Sequence, residues 1–410
     1  MTVTFDQIVA ARRRIAGGIY MSPCESSLSL SQLCGCEVYT KLEYLQSTGS
    51  FKERGARNAL LQLDQAARSR GVIAASAGNH ALALAYHGHE LSIPVTVVMP
   101  RFAPLVKRSR CHELGATVVL SGENIGQAKS LADSIAAEKN LTYIHGFDAP
   151  EVIAGQGTIG LEILDQVDRP DAVLVPVGGG GLIAGISLAI KTASPQTQVI
   201  AVSARNTGSF AASFAAGEPT TVVPSPTLAD GLAVPRVGDR ALAIARRHVD
   251  RCVEVGEDHI AQAIVRLADR EKGVVEGAGA VPLAAFLARS LDDLHGKRVV
   301  LVLAGGNIDM TVLGRVIEHG MVADGRLTQF TAVISDRPGG LADLAVAIAD
   351  VGASVKHIEH DRAFSGADVS TVRVLCTVET RDAAHIAELH KALEANDIRV
   401  LSCSIPPRSH

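Results

Sequence analysis

Tryptophan is absent from this chain of 410 residues, and aromatic residues make up only 3% of it. Alanine, valine, leucine and isoleucine must therefore fill the interior, which favours layered helices and parallel sheets over an aromatic-anchored β-sandwich. Neither sign of charge dominates: 39 Lys and Arg stand against 43 Asp and Glu, for a formal net charge of -4. The local basic cluster Lys107-Arg108-Ser109-Arg110 has no interleaved aromatics and reads as a solvated helix face, so nucleic acid is not an expected partner. The seven cysteines are scattered, Cys34 and Cys36 are too close for a CxxC pair, and no metal-ligand spacing occurs. Reduced structural thiols and no metal are the expectation. Met1–Asp6 has neither the basic nor the apolar segment of a secretory leader, so a cytoplasmic location is expected. Ala172–Ile190 carries no charge, but Pro176 and four consecutive glycines interrupt it; a buried strand, a loop and a buried helix fit it better than a membrane span.

The length suggests two or three domains. Apolar runs of strand length alternate with helical stretches for about 300 residues. Val72–Ala75 leads into a helix over Asn79–Tyr86, Val95–Met99 into Pro104–Leu114, Thr117–Leu120 into Ile125–Lys139, and Ala172–Val177 into Leu182–Lys191. Val199–Val202 and Val299–Leu303 are further apolar runs. Uniformly apolar strands joined by helices indicate α/β parallel sheet covered on both faces. Ligands in such sheets bind beyond the carboxyl ends of the strands. Three unusual loops follow strands here: Ser76–His80, Gly178–Gly181 and Gly305-Gly306-Asn307. The pattern changes near residue 320. Residues 321–328, with Gly325-Arg326-Leu327, read as a linker. Strands at Phe330–Ile334, Val355–Glu359, Val369–Val378 and Ile398–Ser402, with helices at Leu341–Val351 and Ala383–Ala395, give a βαββαβ order that suits a small ferredoxin-like domain over 329–410.

The chemistry concentrates in the loops. Lys52 follows Ser47-Thr48-Gly49-Ser50-Phe51, a stretch of small hydroxyls and close backbone approach. An exposed ammonium is a poor nucleophile, but desolvation in a pocket lowers its pKa. Phe51 offers a flat face for a ring. In Ser76-Ala77-Gly78-Asn79-His80, Ser76 or Asn79 is the expected N-cap, and the helix N-terminus also suits a carboxylate. His80 reads as a packed helix residue. Gly178, Gly179, Gly180 and Gly181 let four backbone N–H groups approach a phosphate. The dinucleotide pattern GxGxxG with a later acid is missing, as is the GxxxxGK[ST] phosphate loop. Lysine and glycine loop together point to an aldehyde cofactor with a phosphate tail.

The chain resembles the fold-type II, pyridoxal-phosphate-dependent dehydratases of serine and threonine. The resemblance is carried, in order, by Thr48–Ala56, Ser76–His80, Ala149–Gly160, Gly178–Leu182, Ala229-Asp230-Gly231 and Gly305-Gly306-Asn307. It covers roughly residues 5–320, and the tail around Ser335–Leu341 is similar to the ligand loop of an ACT regulatory domain. The resemblance implies a tryptophan synthase β-like catalytic domain over 1–320 with two parallel-sheet lobes, the smaller roughly 50–150, and an ACT domain over 329–410. It implies that Lys52 carries pyridoxal 5'-phosphate and acts as the base at the substrate Cα. Phe51, Asn79, Gly178–Gly181, Leu182 and Ala304 would surround the cofactor. Ser50, Ser76, Ala77, Asn79 and His80 would face the carboxylate of an amino-acid substrate. An amino-acid effector would meet Asp336, Pro338, Gly339, Gly340 and Leu341, in a homodimer or homotetramer. Relatives usually carry serine where Ala304 stands, and serine racemases of this fold place a second base where Ala77 stands. Those with a divalent metal usually carry glutamate after the strand at Val199–Val202, where Ser203-Ala204-Arg205 follows here.

Overall fold

Apolar strands build two separate sheets in the amino-terminal three-quarters of the chain. The computed structural model describes residues 3–361 and 370–404, and these fall into two compact units, Met1–Ile308 and Asp309–His410.

The larger sheet of the first unit has six strands, in the order Cys24–Ser26, Glu37–Leu42, Arg298–Leu303, Ala172–Pro176, Gln198–Ala204 and Arg251–Val255. All neighbours run parallel except the first pair. Every residue of Ala172–Pro176 is buried, as a strand covered on both faces requires. The smaller sheet has four parallel strands, in the order Thr117–Leu120, Val95–Met99, Val72–Ala75 and Thr142–Tyr143. Each sheet has its own aliphatic core, one around Val173, Ile186 and Val300, the other around Val72, Leu84 and Val97.

The helix Lys52–Leu61 packs on Pro150–Gln166 at a distance that only glycine permits. A Cβ on Gly155 would lie 2.6 Å from the Arg54 carbonyl and 2.7 Å from Gly55 Cα. Arg54, fully buried, locks the same helix. Its guanidinium donates to both carboxylate oxygens of Glu43 (2.8 and 2.7 Å) and of Glu162 (2.6 and 2.8 Å). Lys41 completes the neutral cluster at 2.6 Å from Glu162. A buried charge is tolerable only when it is paired and hydrogen-bonded in this way.

The second unit opens with the helix Met310–Ala323 and continues as Leu327–Ser335, helix Gly340–Asp350, Ser354–Asp361, Thr371–Glu379, helix Ala383–Ala395 and Arg399–Ser404. The four strands pair antiparallel, the second and third side by side and the first between the third and fourth. Alternation along Leu327–Ser335 buries Phe330, Ala332 and Ile334 against Leu344, Ile348 and Leu389. Val369, where the sequence reading starts a strand, lies outside the described residues, as do Met1 and Thr2. Among the described residues no helix is long and apolar enough to cross a membrane.

Candidate active site

Lys52 begins its helix, and the loop before it is stitched to the end of the strand Arg298–Leu303. Phe51 N donates to the Ala304 carbonyl at 3.0 Å, Gly306 N to the Gly49 carbonyl at 2.9 Å, and Ser50 forms an isolated bridge with Gly305. This places the lysine at the carboxyl end of the larger sheet, where ligands of parallel sheets bind. Lys52 Nζ lies 5.2 Å from the Phe51 ring centroid and donates to the Gly146 carbonyl at 2.8 Å. Burial pushes the Lys52 amine down from 10.5 to about 8, against the opposing pull of the Glu276 carboxylate. The hydroxyls of Thr48 and Ser50 are buried beside it and have no hydrogen-bond partner among the described residues. A buried hydroxyl without a partner costs free energy that a bound ligand can recover.

Ser76–His80 follows the strand Val72–Ala75 of the smaller sheet. Neither expected side-chain cap forms: Gly78 is the N-cap of Asn79–Glu90, and it has no side chain to cap with. The Ser76 hydroxyl instead accepts from Gly78 N at 3.3 Å, and the Asn79 amide is committed elsewhere. Asn79 Nδ2 donates to Glu276 Oε1 at 2.8 Å, and Asn79 Oδ1 accepts from Asn307 Nδ2 at 3.0 Å. Ala77 packs against the smaller sheet's core. His80 is buried, with Nε2 on the Ile144 carbonyl at 3.1 Å and Nδ1 without a partner. Burial and then the nearby Lys52 charge push His80 down to about 3, so its imidazole is neutral.

Gly178–Gly181 joins the strand Ala172–Pro176 to the helix Gly181–Ala193, with Leu182 buried in the first turn. Gly180 is left-handed at φ +95. None of the four glycine N–H groups donates to a protein acceptor among the described residues. They are unclaimed donors at a helix N-terminus, the arrangement that binds phosphate. The glycines are also required by the protein itself. A Cβ on Gly178 would lie 2.8 Å from Leu232 Cα, one on Gly179 2.5 Å from the Phe147 ring, and one on Gly181 2.3 Å from the Phe147 carbonyl.

Lys52, the two free hydroxyls and the glycine N–H groups are what an aldehyde bearing a phosphate needs, so the residues fit pyridoxal phosphate. Sequence reasoning assigned no role to several neighbours. Glu276 is buried, and burial followed by the charge of Asp230 pushes its carboxyl up to about 7. Its signal in the sequence is that it is the lone charged residue between Gly273 and Ala288. Gly146 contributes only a carbonyl and leaves no side-chain signal. The basic cluster is not simply solvated: Lys107 Nζ lies 3.6 Å from Asp230, and Arg110 reaches Asn307 Oδ1 at 3.5 Å.

In the second unit, Asp336, Pro338 and Gly339 lie between Leu327–Ser335 and Gly340–Asp350, and Gly340 and Leu341 open that helix. Gly339 is left-handed at φ +102, and Gly340 N donates to the Arg337 carbonyl at 3.1 Å.

Residues 15–305 match the family described as pyridoxal-phosphate dependent enzyme. The chain is 41% identical over 398 residues, 97% of this chain and 99% of the relative, to an L-threonine ammonia-lyase of Thermotoga maritima. Among solved structures it is similar to the processed form of threonine deaminase isoform 2 from Solanum lycopersicum, at 35% identity and a TM-score of 0.73, covering 77% of this chain and 93% of that one. It is also similar to the serine racemase of Dictyostelium discoideum, at 36% identity and a TM-score of 0.72, covering 76% of this chain and 100% of that one. With a lysine, unclaimed main-chain donors and free hydroxyls gathered at the end of a parallel sheet, the chain belongs to the fold-type II family of pyridoxal-phosphate-dependent enzymes.

Proposed function

We propose that this chain catalyses the dehydration and deamination of L-threonine to 2-oxobutanoate and ammonia, and of L-serine to pyruvate and ammonia. The supporting observation is the likeness to an L-threonine ammonia-lyase along almost the whole length of both chains. Pyridoxal phosphate, when bound, supplies a ring that withdraws electrons from the substrate Cα and so makes its proton removable.

The residues of this chain do the rest. Lys52 anchors the cofactor, and its amine takes the Cα proton; a depressed pKa makes that amine available near neutrality. The Cα proton and the β-hydroxyl depart as water, and a second water replaces the amine. The N–H groups of Gly178, Gly179, Gly180 and Gly181 hold the phosphate, with Leu182 behind them. Phe51 would pack against the cofactor, and Asn79 would hydrogen-bond it. Ser50, Ser76, Ala77, Asn79 and His80 surround the substrate carboxylate, His80 as a neutral donor or acceptor. Ala77 has no hydroxyl with which to reprotonate the opposite face of Cα, which favours elimination over racemisation. Ala304 packs in the larger core beside Phe51 and offers a ring nitrogen only a methyl group. Ala304 and Ala81-Leu82-Ala83 together motivate a second reading, in which another β-hydroxy amino acid such as hydroxyaspartate is the substrate.

The second unit is proposed to be an ACT-type sensor that binds an amino acid at Asp336, Pro338, Gly339, Gly340 and Leu341, within a cytoplasmic homodimer or homotetramer. Its βαββαβ order and the exposed, left-handed turn at Gly339 support that reading.

The test is 2-oxo acid release from a panel of β-hydroxy amino acids by the holoenzyme. L-threonine should be the best substrate, and Lys52→Ala should release nothing. Threonine turnover by Lys52→Ala, or inactivity of the wild type on the whole panel, overturns the assignment. Titrating isoleucine and valine into the full chain, and into a chain ending at Asp324, tests the sensor: the response should vanish with the tail.

A further inference from the structure

The amide of Asn79 is gripped at both ends, and the grip dictates which end is which. Asn307 Nδ2 donates to the Thr48 carbonyl at 2.7 Å and to Asn79 Oδ1 at 3.0 Å. A backbone carbonyl only accepts, so the Asn307 group facing Thr48 must be the NH2. Both of its hydrogens are then spent on oxygens, and the Asn79 atom facing it must be the carbonyl oxygen. The Asn79 NH2 therefore faces Glu276, whose Oε1 accepts at 2.8 Å. A reversed Asn79 would set two NH2 groups against each other and a carbonyl against a carboxyl oxygen. No other orientation satisfies all four residues, so the polarity follows from the network and not from the placement of indistinguishable atoms.

The backbone makes room for this chain of contacts. A Cβ on Gly49 would lie 2.7 Å from Asn307 Oδ1, and one on Gly305 would lie 2.5 Å from Glu276 Oε1 and 3.2 Å from Asn79 Nδ2. The backbone N–H of Asn307, two residues after Gly305, also supports the Glu276 carboxyl. Asn79 Nδ2 spends one hydrogen on Glu276 and has no second protein acceptor among the described residues. One N–H is thus left for a ligand.

We propose that Glu276 and Asn307 are positioning residues that lock the Asn79 amide so that it presents an N–H, and not a carbonyl, to the cofactor. This rests on the reading above that Asn79 contacts pyridoxal phosphate. Glu276 needs only an acceptor oxygen for the task, whereas Asn307 needs two donors.

The test titrates pyridoxal phosphate into the full-length apoprotein and reads Kd and the absorption maximum of the bound cofactor. Asn79→Ala should weaken binding about tenfold, the loss of one hydrogen bond. Asn307→Asp, nearly isosteric but unable to donate, and Glu276→Leu should each weaken it by a similar factor and displace the absorption maximum. Glu276→Gln, whose amide oxygen still accepts, should recover most of the loss seen with Glu276→Leu. In an Asn79→Ala background, Asn307→Asp and Glu276→Leu should add under about twofold, because they act through Asn79. Melting of each apoprotein separates folding from binding. Weak binding by Asn79→Ala with wild-type binding by Asn307→Asp and Glu276→Leu overturns the positioning role alone. Full additivity in the Asn79→Ala background, or no recovery with Glu276→Gln, overturns it as well. Wild-type binding by Asn79→Ala itself overturns the underlying assignment of Asn79.

Discussion

Lys52 is expected to behave as an amine about 300 times more available at pH 7 than an ordinary lysine. Its value falls from 10.5 to about 8, and the neutral fraction at a pH below both rises tenfold for each unit of that fall. The perturbation is pH itself, applied to apoprotein so that no ligand alters the site. A brief pulse of an amine-selective acylating reagent at each pH, followed by peptide mass spectrometry, gives the labelled fraction of Lys52. Nα-acetyl-lysine amide labelled in the same tube is the reference. Burial slows the absolute rate, but the midpoint of the profile reports only the ionisation. It should lie near 8, and Glu276→Gln should move it lower, because the carboxylate is the charge that opposes the burial effect. The sign for stability follows. The unfolded chain binds more protons than the folded one between about 8 and 10.5, so this lysine makes folding less favourable below that window and relieves the cost as pH rises through it. A labelling midpoint at 10 or above, or an upward shift in Glu276→Gln, would refute the reasoning.

Arg54→Met should destabilise the apoprotein by about 3–5 kcal/mol in urea unfolding at pH 8, because it leaves two buried carboxylates, Glu43 and Glu162, with Lys41 as their one remaining cation in the cluster. Burial alone would raise Glu43, and Arg54 first among its partners holds it below the ordinary carboxylate range, so the loss should shrink as pH falls and Glu43 is protonated in the variant. Gly179→Ala should cost about 1–3 kcal/mol by thermal melting even without cofactor, since its Cβ would lie 2.5 Å from the Phe147 ring. Glu276, raised to about 7, binds a proton in the folded state that it releases in the unfolded state between 4.5 and about 7, so its contribution to stability falls as pH rises through that range. Glu276→Gln should therefore gain stability relative to wild type on going from pH 4.5 to 7.5, and a constant difference across that range would contradict the raised value.

Some strands are legible in the sequence because they are apolar on both faces, such as Ala172–Pro176, where a two-sided core leaves no room for polar alternation, and others, such as Leu327–Ser335, because they alternate. Glu37–Leu42 was not legible. Half its residues are polar, yet it pairs along its full length with Arg298–Leu303, some 260 positions away. Nothing local announces such a partner, and the same is true of the two-residue strand Thr142–Tyr143. The site divides in the same way. Lys52, Asn79 and Gly178–Gly181 stand in patterns that a reader of sequence can find. Gly146 and Thr48 act through carbonyls, which every residue owns. The missed cap at Ser76 or Asn79 has the same cause: a side chain suited to a local cap was claimed by partners 197 and 228 positions away.

The glycine run answers to two requirements, one set by a ligand and one by the fold. Read from sequence, Gly178–Gly181 lacks side chains so that a phosphate can approach, or so that a helix can pack closely. In the folded chain, the space each Cβ would need at Gly178, Gly179 and Gly181 is filled by Leu232 and Phe147, and at Gly180 a Cβ would lie 2.9 Å from that of Ala241. Packing alone therefore demands glycine here, with or without a ligand. What the ligand reading explains, and packing does not, is the row of N–H groups left without acceptors beside a buried helix start. The two requirements are separable. A substitution that adds a Cβ disturbs both, so its failure to bind cofactor identifies neither. Phe147→Ala removes the ring that crowds Gly179 while leaving the main-chain donors intact, so it should soften the stability cost of Gly179→Ala if packing sets that cost.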